Sequence, residues 1–527
     1  MAAPLSNNDD EPEMVRSHEW LVLYCSSWEA WIMTGWRIQS FLPVLLAAIL
    51  LPGPSKADTP ARATAPPLRK PDRTTIAALE KQVPELLKDG TVPGLSMALI
   101  RDGRTYWLHA FGVRDAKTSQ ALTEDTIFEA ASLSKPVFAY GVLKLVDQGK
   151  LDLDAPLSKY LPKPYIEGDA RLDQITARIV LSHRTGFLNW RPDGKPLTIH
   201  FTPGERFSYS GEGIVYLQKV VEQITGKPLN DYMTEAVFSP LGMESSSYVW
   251  QAAYDARTAL PHDGAGEPGE KFKPKDSNAA ASLHTTAGDY ALFVEALLNG
   301  TGLSKKILVE MEHPQIALDP ACTNCTDREP KELSKTLFWG LGIGIQETKD
   351  GESLWHWGDN GRFKCFVLAY PKQKIGVVLL MNGENGLSIL SDLLRISLGS
   401  EQPALGWIKY DHYDSPAMLF AKAARDKGAT AAIDEFRPAL TRGDISEDSI
   451  NSAGYQLMAA KKLPDSIRMF QLNVELHPQS WNVYDSLGEA YMTNGDKDLA
   501  IQNYQKSLDL NPSNSNGKDM LKKLETN

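Results

Sequence analysis

Glu129-Ala130-Ala131-Ser132-Leu133-Ser134-Lys135-Pro136 puts a serine hydroxyl and a lysine amine three residues apart, ahead of a long apolar run. Three residues is nearly one helical turn, so on a helix both side chains point the same way. Pro136 suits a first turn, where a missing backbone N–H costs nothing. The apolar spacing then predicts a helix through Val137, Tyr140, Leu143 and Val146 to a stop near Gly149. The pattern by itself is weak, because Ser515-Asn516-Gly517-Lys518 satisfies it too, in an Asn-rich stretch that reads as an unstructured turn. Taken alone, Ser132 reads better as a helix N-cap and Lys135 as a solvated first-turn residue. What singles out Ser132 must come from the rest of the chain.

Upstream, residues 75–88 carry a helical stripe of Ile76, Leu79, Val83, Leu86 and Leu87. Residues 95–100 and 105–111, split by Arg101-Asp102-Gly103, read as a β-hairpin. Residues 150–300 read mostly as helices with long connections. Val215, Leu217, Val220, Val221 and Ile224 precede a stop at Gly226, and residues 287–298 end at Asn299-Gly300. Strand signals return at 353–357, 363–370 and 374–381, and residues 387–398 close this part as a helix. Strands at both ends with helices between predict an α+β domain, an antiparallel sheet whose first and last strands meet, with a helical insertion.

Three stations follow one another in this domain: Ser132-x-x-Lys135, Tyr209-Ser210-Gly211 and His356-Trp357-Gly358. A serine hydroxyl needs a neighbouring base to act as a nucleophile. Lys135, desolvated and near other cations, is expected to be neutral enough to take its proton. Tyr209 is expected to share that task and to pass a proton to the leaving group. His356 lies two residues before Gly358, where backbone can approach a substrate closely. The Ser132 and Asp359 N–H groups are the expected oxyanion donors. Neither Gly-x-Ser-x-Gly nor His-Glu-x-x-His occurs, which removes two other hydrolase types.

On these stations, residues 72–400 resemble the serine β-lactamase and penicillin-recognising hydrolase family. The nearest branch is that of class C β-lactamases, D-Ala-D-Ala carboxypeptidases and family VIII esterases. Ser182-His183-Arg184-Thr185-Gly186, Phe201-Thr202-Pro203-Gly204, Leu241-Gly242-Met243 and Thr285-Thr286-Ala287-Gly288-Asp289 add to the resemblance. It implies a sheet flanked by helices with a helical subdomain, and an acyl-enzyme mechanism with no metal or organic cofactor. In that mechanism Ser132 attacks, Lys135 and Tyr209 move protons, and His356, Trp357, Gly358, Asp359 and Gly211 line the substrate and oxyanion site. His183 and His284 are expected as hydrogen-bonding loop residues. Two departures stand out: Gly211 replaces the asparagine of the family's Tyr-x-Asn, and His356-Trp357-Gly358 replaces Lys-Thr-Gly. The first removes an amide that helps hold the substrate's acylamide group, the second weakens the grip on a β-lactam carboxylate, and efficient penicillin hydrolysis is not expected. The expected activity is cleavage of a small ester or amide. The alternatives are a D-Ala-D-Ala carboxypeptidase, D-aminopeptidase or weak β-lactamase, and a catalytically degraded binding protein.

The whole chain has 527 residues, a net charge of −11, 42% hydrophobic and 23% charged residues. That balance fits a multidomain globular protein and argues against nucleic acid as a partner. Residues 1–57 read as an N-terminal extension with a signal peptide, its apolar region at 38–51 and its cleavage signal at Ser55-x-Ala57. Acidic residues before Met33 point to translation from Met33. Export to the periplasm or medium is therefore expected, with an uncleaved membrane anchor as the rival reading. Residues 58–72 read as a flexible leader, 73–400 as the hydrolase domain and 401–412 as a linker. Residues 413–527 carry helical repeats: Tyr484, Leu487, Gly488, Tyr491, Ala500, Tyr504 and Pro512 fit the tetratricopeptide pattern, and Pro478 precedes Pro512 by 34 residues, its period. Ala432 and Phe436 hint at a third unit. Such repeats offer a surface for a peptide or protein partner, or for docking on the hydrolase domain. Cys322-Thr323-Asn324-Cys325 is half a zinc knuckle without a second half, so metal is not expected; the pair is either a local disulfide or two free thiols. Cys365 reads as core.

Overall fold

The computed structural model describes residues 66–192 and 194–526. The expected signal peptide with its cleavage signal, the expected start at Met33 and the expected leader up to residue 65 lie outside the described residues. Among the described residues no helix is long and apolar enough to cross a membrane.

Strands β1 (Gly94–Arg101), β2 (Arg104–Asp115) and β3 (Gln120–Ala121) come first, and β4 (Phe128–Glu129) and β5 (His284–Thr285) form a separate pair. Then follow β6 (Ile316–Ala317), β7 (Leu337–Trp339), β8 (Gly344–Thr348), β9 (Gly351–Asp359), β10 (Lys364–Tyr370) and β11 (Ile375–Met381). The main sheet has nine strands in the order β3-β2-β1-β11-β10-β9-β8-β7-β6. Its first and last long strands do meet: β1 pairs antiparallel with β11, from Leu95 opposite Met381 to Ile100 opposite Gly376. β7 and β8 escape a sequence reading because one is three residues long and the other begins at a glycine. The central strands are buried on both faces, so they read as unbroken apolar runs rather than alternating ones.

The helices of this part are α1 (Arg73–Asp89), α2 (Ser134–Asp147), α3 (Ala177–Leu181), α4 (Gly211–Thr225), α5 (Leu229–Met233), α6 (Ser239–Leu241), α7 (Ala287–Asn299), α8 (Lys305–Glu312) and α9 (Leu390–Ser397). They divide between the two faces of the sheet. Ala98, Ile100, Val367, Val378 and Leu380 face Phe138 and Val142 of α2, Leu217 of α4 and Phe293 of α7. The alternate residues Leu95, Met97, Phe366, Val377 and Leu379 face Leu79 and Val83 of α1 and Leu393 and Leu394 of α9. The period of two along each strand thus feeds two apolar layers.

Residues 401–412 are more than a connection: α10 (Pro403–Ile408) folds there and packs Trp407 into the second layer. Beyond it come α11 (Pro416–Lys427), α12 (Ala429–Arg442), α13 (Glu447–Ala459), α14 (Leu463–Leu476), α15 (Trp481–Asn494), α16 (Lys497–Leu510) and α17 (Ser515–Thr526). They make three helix pairs and a last single helix. In the second and third pairs a glycine lets an aromatic ring close in. A Cβ on Gly454 would sit 2.6 Å from the Phe470 ring, and one on Gly488 would sit 3.2 Å from the Tyr504 ring. Ala432 belongs to the first pair, whose core includes Phe420, Ile433 and Leu440. Ser515 begins α17, which corrects the reading of that stretch as an unstructured turn. The Asn-rich composition is used for capping: the Asn514 amide donates to Asp485 at 2.6 Å, and its oxygen accepts the Gly517 N–H at 3.2 Å.

Candidate active site

β4 ends at Glu129, and the chain then enters a 3₁₀ turn, Ala131–Leu133, before α2 starts. Ala131 has φ 48°, a left-handed conformation that an alanine adopts only when its surroundings impose it. They do so here. The Ser134 hydroxyl donates to the Ala131 carbonyl at 2.6 Å, the Leu283 N–H donates to Ser134 Oγ at 3.0 Å, and the Tyr290 hydroxyl donates to the Leu133 carbonyl at 3.0 Å. The N-cap position of α2 is Leu133, with no side-chain cap, so Ser132 is not spent on capping.

Lys135 Nζ lies 2.9 Å from Ser132 Oγ and 2.8 Å from the Ala280 carbonyl. The lysine is 0% exposed, and burial lowers its pKa from 10.5 to about 7. The neighbouring cations expected from the sequence contribute nothing to that shift: burial is its cause, and the nearby histidines are themselves held neutral.

Tyr209 is 4% exposed and sits just before α4, its ring centroid 4.8 Å from Lys135 Nζ. Both of its neighbours are pinned by His183. The Ser208 N–H donates to the His183 carbonyl at 2.8 Å and the Ser210 N–H to His183 Nδ1 at 3.1 Å. Ser210 also caps α4 through the Gly213 N–H at 3.0 Å. The Tyr209 N–H itself reaches the Thr323 carbonyl at 2.9 Å, inside the loop closed by a Cys322–Cys325 disulfide. The local pair is therefore a disulfide, and Cys365 is buried and free.

His356 on β9 is fully buried and brings its ring within 6.2 Å of Tyr209. Its Nδ1 lies 2.7 Å from the Trp357 carbonyl, so that nitrogen carries the proton and Nε2 keeps a lone pair. Burial first, and the Lys135 charge second, push its pKa down to about 3. Trp357 stacks on this ring and stands 4.9 Å from Tyr209. A Cβ on Gly358 would meet the Ala130 carbonyl at 2.6 Å and the Ala131 methyl at 3.2 Å, so only glycine lets β9 lie against the Ser132 turn. Asp359 closes the strand. Its carboxylate accepts from Lys364 Nζ at 2.6 Å, from the Gly361 N–H at 2.7 Å, and from the Tyr410 hydroxyl.

Four residues here carry no sequence signature. Glu129 is buried opposite His284, and burial raises its pKa to about 7; its carboxylate accepts from the Asn360 amide at 3.3 Å. Asn189 and Trp190 occupy the side of Gly211. The Gly211 N–H donates to Asn189 Oδ1 at 2.8 Å, and a Cβ at 211 would sit 2.5 Å from the Trp190 ring. Trp190 thus holds the space in which a larger residue of the second motif would begin. Tyr410 lies outside the hydrolase stretch altogether. Among the described residues no group of three or more His, Cys, Asp or Glu side chains converges as metal ligands do.

A family model described as Beta-lactamase matches residues 78–396, and one described as Tetratricopeptide repeat matches residues 482–514. Protein flp of Staphylococcus aureus (strain N315) is 22% identical over 324 residues, covering 58% of this chain and 62% of the relative. Esterase EstB of Burkholderia gladioli is 30% identical over 229 residues, covering 37% of this chain and 57% of the relative. The chain thus spans less than two thirds of the length of either relative. The octameric penicillin-binding protein homologue from Pyrococcus abyssi shares the fold, with a TM-score of 0.51 and 23% identity over 66% of this chain and 81% of that one.

Proposed function

The chain belongs to the Beta-lactamase family, and from that premise we propose that it is a serine hydrolase cleaving small esters or amides through an acyl-enzyme on Ser132. The observation that carries this reading is Lys135 Nζ, buried, near-neutral and 2.9 Å from Ser132 Oγ. Ser132 Oγ attacks the substrate carbonyl while its proton passes to Lys135. The oxyanion is stabilised by the Ser132 and Asp359 N–H groups. Collapse of the tetrahedral intermediate breaks the ester or amide bond, with Tyr209 handing a proton to the leaving group. Water, deprotonated by the same pair, then attacks the acyl-enzyme and restores the free serine.

Esters are favoured over penicillins on electrostatic grounds. His356, standing where the family's third motif carries a lysine, is held neutral by burial, so it brings no positive charge to a β-lactam carboxylate. The esterase among the relatives agrees with that preference. Export fits the Cys322–Cys325 disulfide, which persists in oxidising compartments. The repeats are the natural seat for a peptide or protein partner.

Labelling tests the reading. The full chain is incubated with a fluorescent phosphonate and, separately, with a fluorescent penicillin, beside Ser132→Ala. Phosphonate labelling that disappears in Ser132→Ala is expected. Penicillin labelling without phosphonate labelling would point to a cell-wall peptidase instead, and labelling by neither would leave a binding protein.

A further inference from the structure

We propose that the segment following the hydrolase domain completes the active site, with Tyr410 as a positioning residue for the third motif and Trp407 as the anchor that seats it. This rests on the serine-hydrolase reading above. The family match ends at residue 396, so neither residue belongs to the part of the chain that matches the family.

Three observations converge on this segment. First, the Tyr410 hydroxyl donates to Asp359, the residue just past His356-Trp357-Gly358, and the Trp357 indole lies beside the same hydroxyl. Two residues flanking Gly358 therefore meet at one phenol. Lys364 Nζ, which holds the other Asp359 oxygen at 2.6 Å, stands 5.5 Å from the Tyr410 ring. Second, Trp407 is 2% exposed and packs its ring 5.6 Å from Trp357, 5.7 Å from Trp355 and 5.8 Å from Phe207. It touches the strand of the third motif and the segment of the second. Third, the Trp407 indole N–H donates to the Asp319 carbonyl at 2.9 Å and Lys409 Nζ to the Ala321 carbonyl at 3.2 Å. Those carbonyls belong to the loop whose Thr323 carbonyl receives the Tyr209 N–H. One short segment thus braces both the end of β9 and the loop that holds Tyr209. A carboxylate beside the oxyanion site needs its lone pairs committed if its own backbone N–H is to stay aimed at the substrate.

The test uses the full chain and Tyr410→Phe, which keeps the ring and removes only the hydroxyl. Acylation by the fluorescent phosphonate and kcat for a p-nitrophenyl ester are expected to fall about tenfold, the size of one charge-assisted hydrogen bond. KM is expected to stay within about twofold, because the pocket wall keeps its shape. Asp359→Asn and the double variant close a cycle: if Tyr410 acts through Asp359, adding Tyr410→Phe to Asp359→Asn costs less than about twofold more. Wild-type rates in Tyr410→Phe, or losses that multiply in the double variant, would overturn the proposal alone. Absence of labelling in the wild-type chain would overturn the hydrolase reading and this proposal with it.

Discussion

Moving the Lys135 ammonium out of water lowers its pKa from 10.5 to about 7. The sign follows directly. The folded state releases this proton more readily than the unfolded one, so its burial penalty is full below about pH 7 and fades as pH rises towards 10.5. In the proposed mechanism it acts as a base only when neutral. Acylation of Ser132 is therefore expected to rise about tenfold per pH unit below the pKa and to level off above it. The pH profile of kcat/KM for a neutral ester checks this, and a flat profile from pH 5 to about 8 would count against Lys135 as the base. Glu129 titrates in the same range, so Glu129→Gln should be profiled alongside and should retain the Lys135 limb. At Gly211 the prediction is steric. Gly211→Ala drives a methyl into the Trp190 ring and should cost about 1–3 kcal/mol, and Trp190→Ala in the same chain should recover part of that loss. Thermal unfolding of the two single variants and the double reads this; simple addition of the two losses would show that the methyl and the ring do not compete. Ser132, Lys135, Tyr209 and His356 could be found in the sequence because each sits in a short pattern with a fixed order. Trp190 and Tyr410 could not, since the ring beside Gly211 comes from a loop with no pattern of its own and the phenol on Asp359 from 51 residues away.

At the scale of elements, long periodic segments were readable and short or shared ones were not. β1, β10 and β11 announce themselves as runs of Val, Leu and Ile, and α1, α4 and α7 by their period and stops. The 319–326 loop shows only its cysteine pair in the sequence, yet it holds Tyr209 through Thr323, and Arg206 through the Cys325 and Thr326 carbonyls at 3.1 and 3.0 Å. Its disulfide joins residues only three apart, so it restricts a very short stretch of unfolded chain and contributes about 2 kcal/mol at most. Its larger effect should be on geometry. Cys322→Ser with Cys325→Ser is expected to lower kcat about three- to tenfold while shifting the unfolding midpoint by only about 2–4 °C. Reductant should do the same to the wild-type chain and nothing to the double variant. Equal kcat for oxidised and reduced wild type would mean that the loop holds its shape without the bond.

At the scale of the whole molecule the question is whether the repeats are a passenger or a part of the hydrolase. Among the described residues, the helices of the repeats reach the preceding domain around Gly264 and Glu384. Arg425 of α11 donates to the Gly264 carbonyl at 2.8 Å, and Gln456 of α13 donates to Glu384 at 3.1 Å, whose other oxygen accepts the Gly264 N–H at 2.8 Å. The loop at Gly264 is also held from within, by the Asn385 amide on the Gly264 carbonyl at 3.0 Å. Losing the repeats therefore removes some of the loop's ties and keeps others. Losing the preceding segment is different in kind. Without Trp407 the rings of Phe207, Trp355 and Trp357 lose the indole packed against them, a loss of about 3–5 kcal/mol next to the candidate active site. Two truncations separate these effects. A chain ending at Asp414 keeps α10, Tyr410 and the Asp392–His412–Asp414 group, and should acylate within about threefold of the full chain with a midpoint lower by a few degrees. A chain ending at Ser400 should be insoluble or fail to acylate, although it contains every residue that matches the family model. If the shorter chain acylates as fast as the longer one, the hydrolase ends where the family match ends, and the segment after it is only a tether.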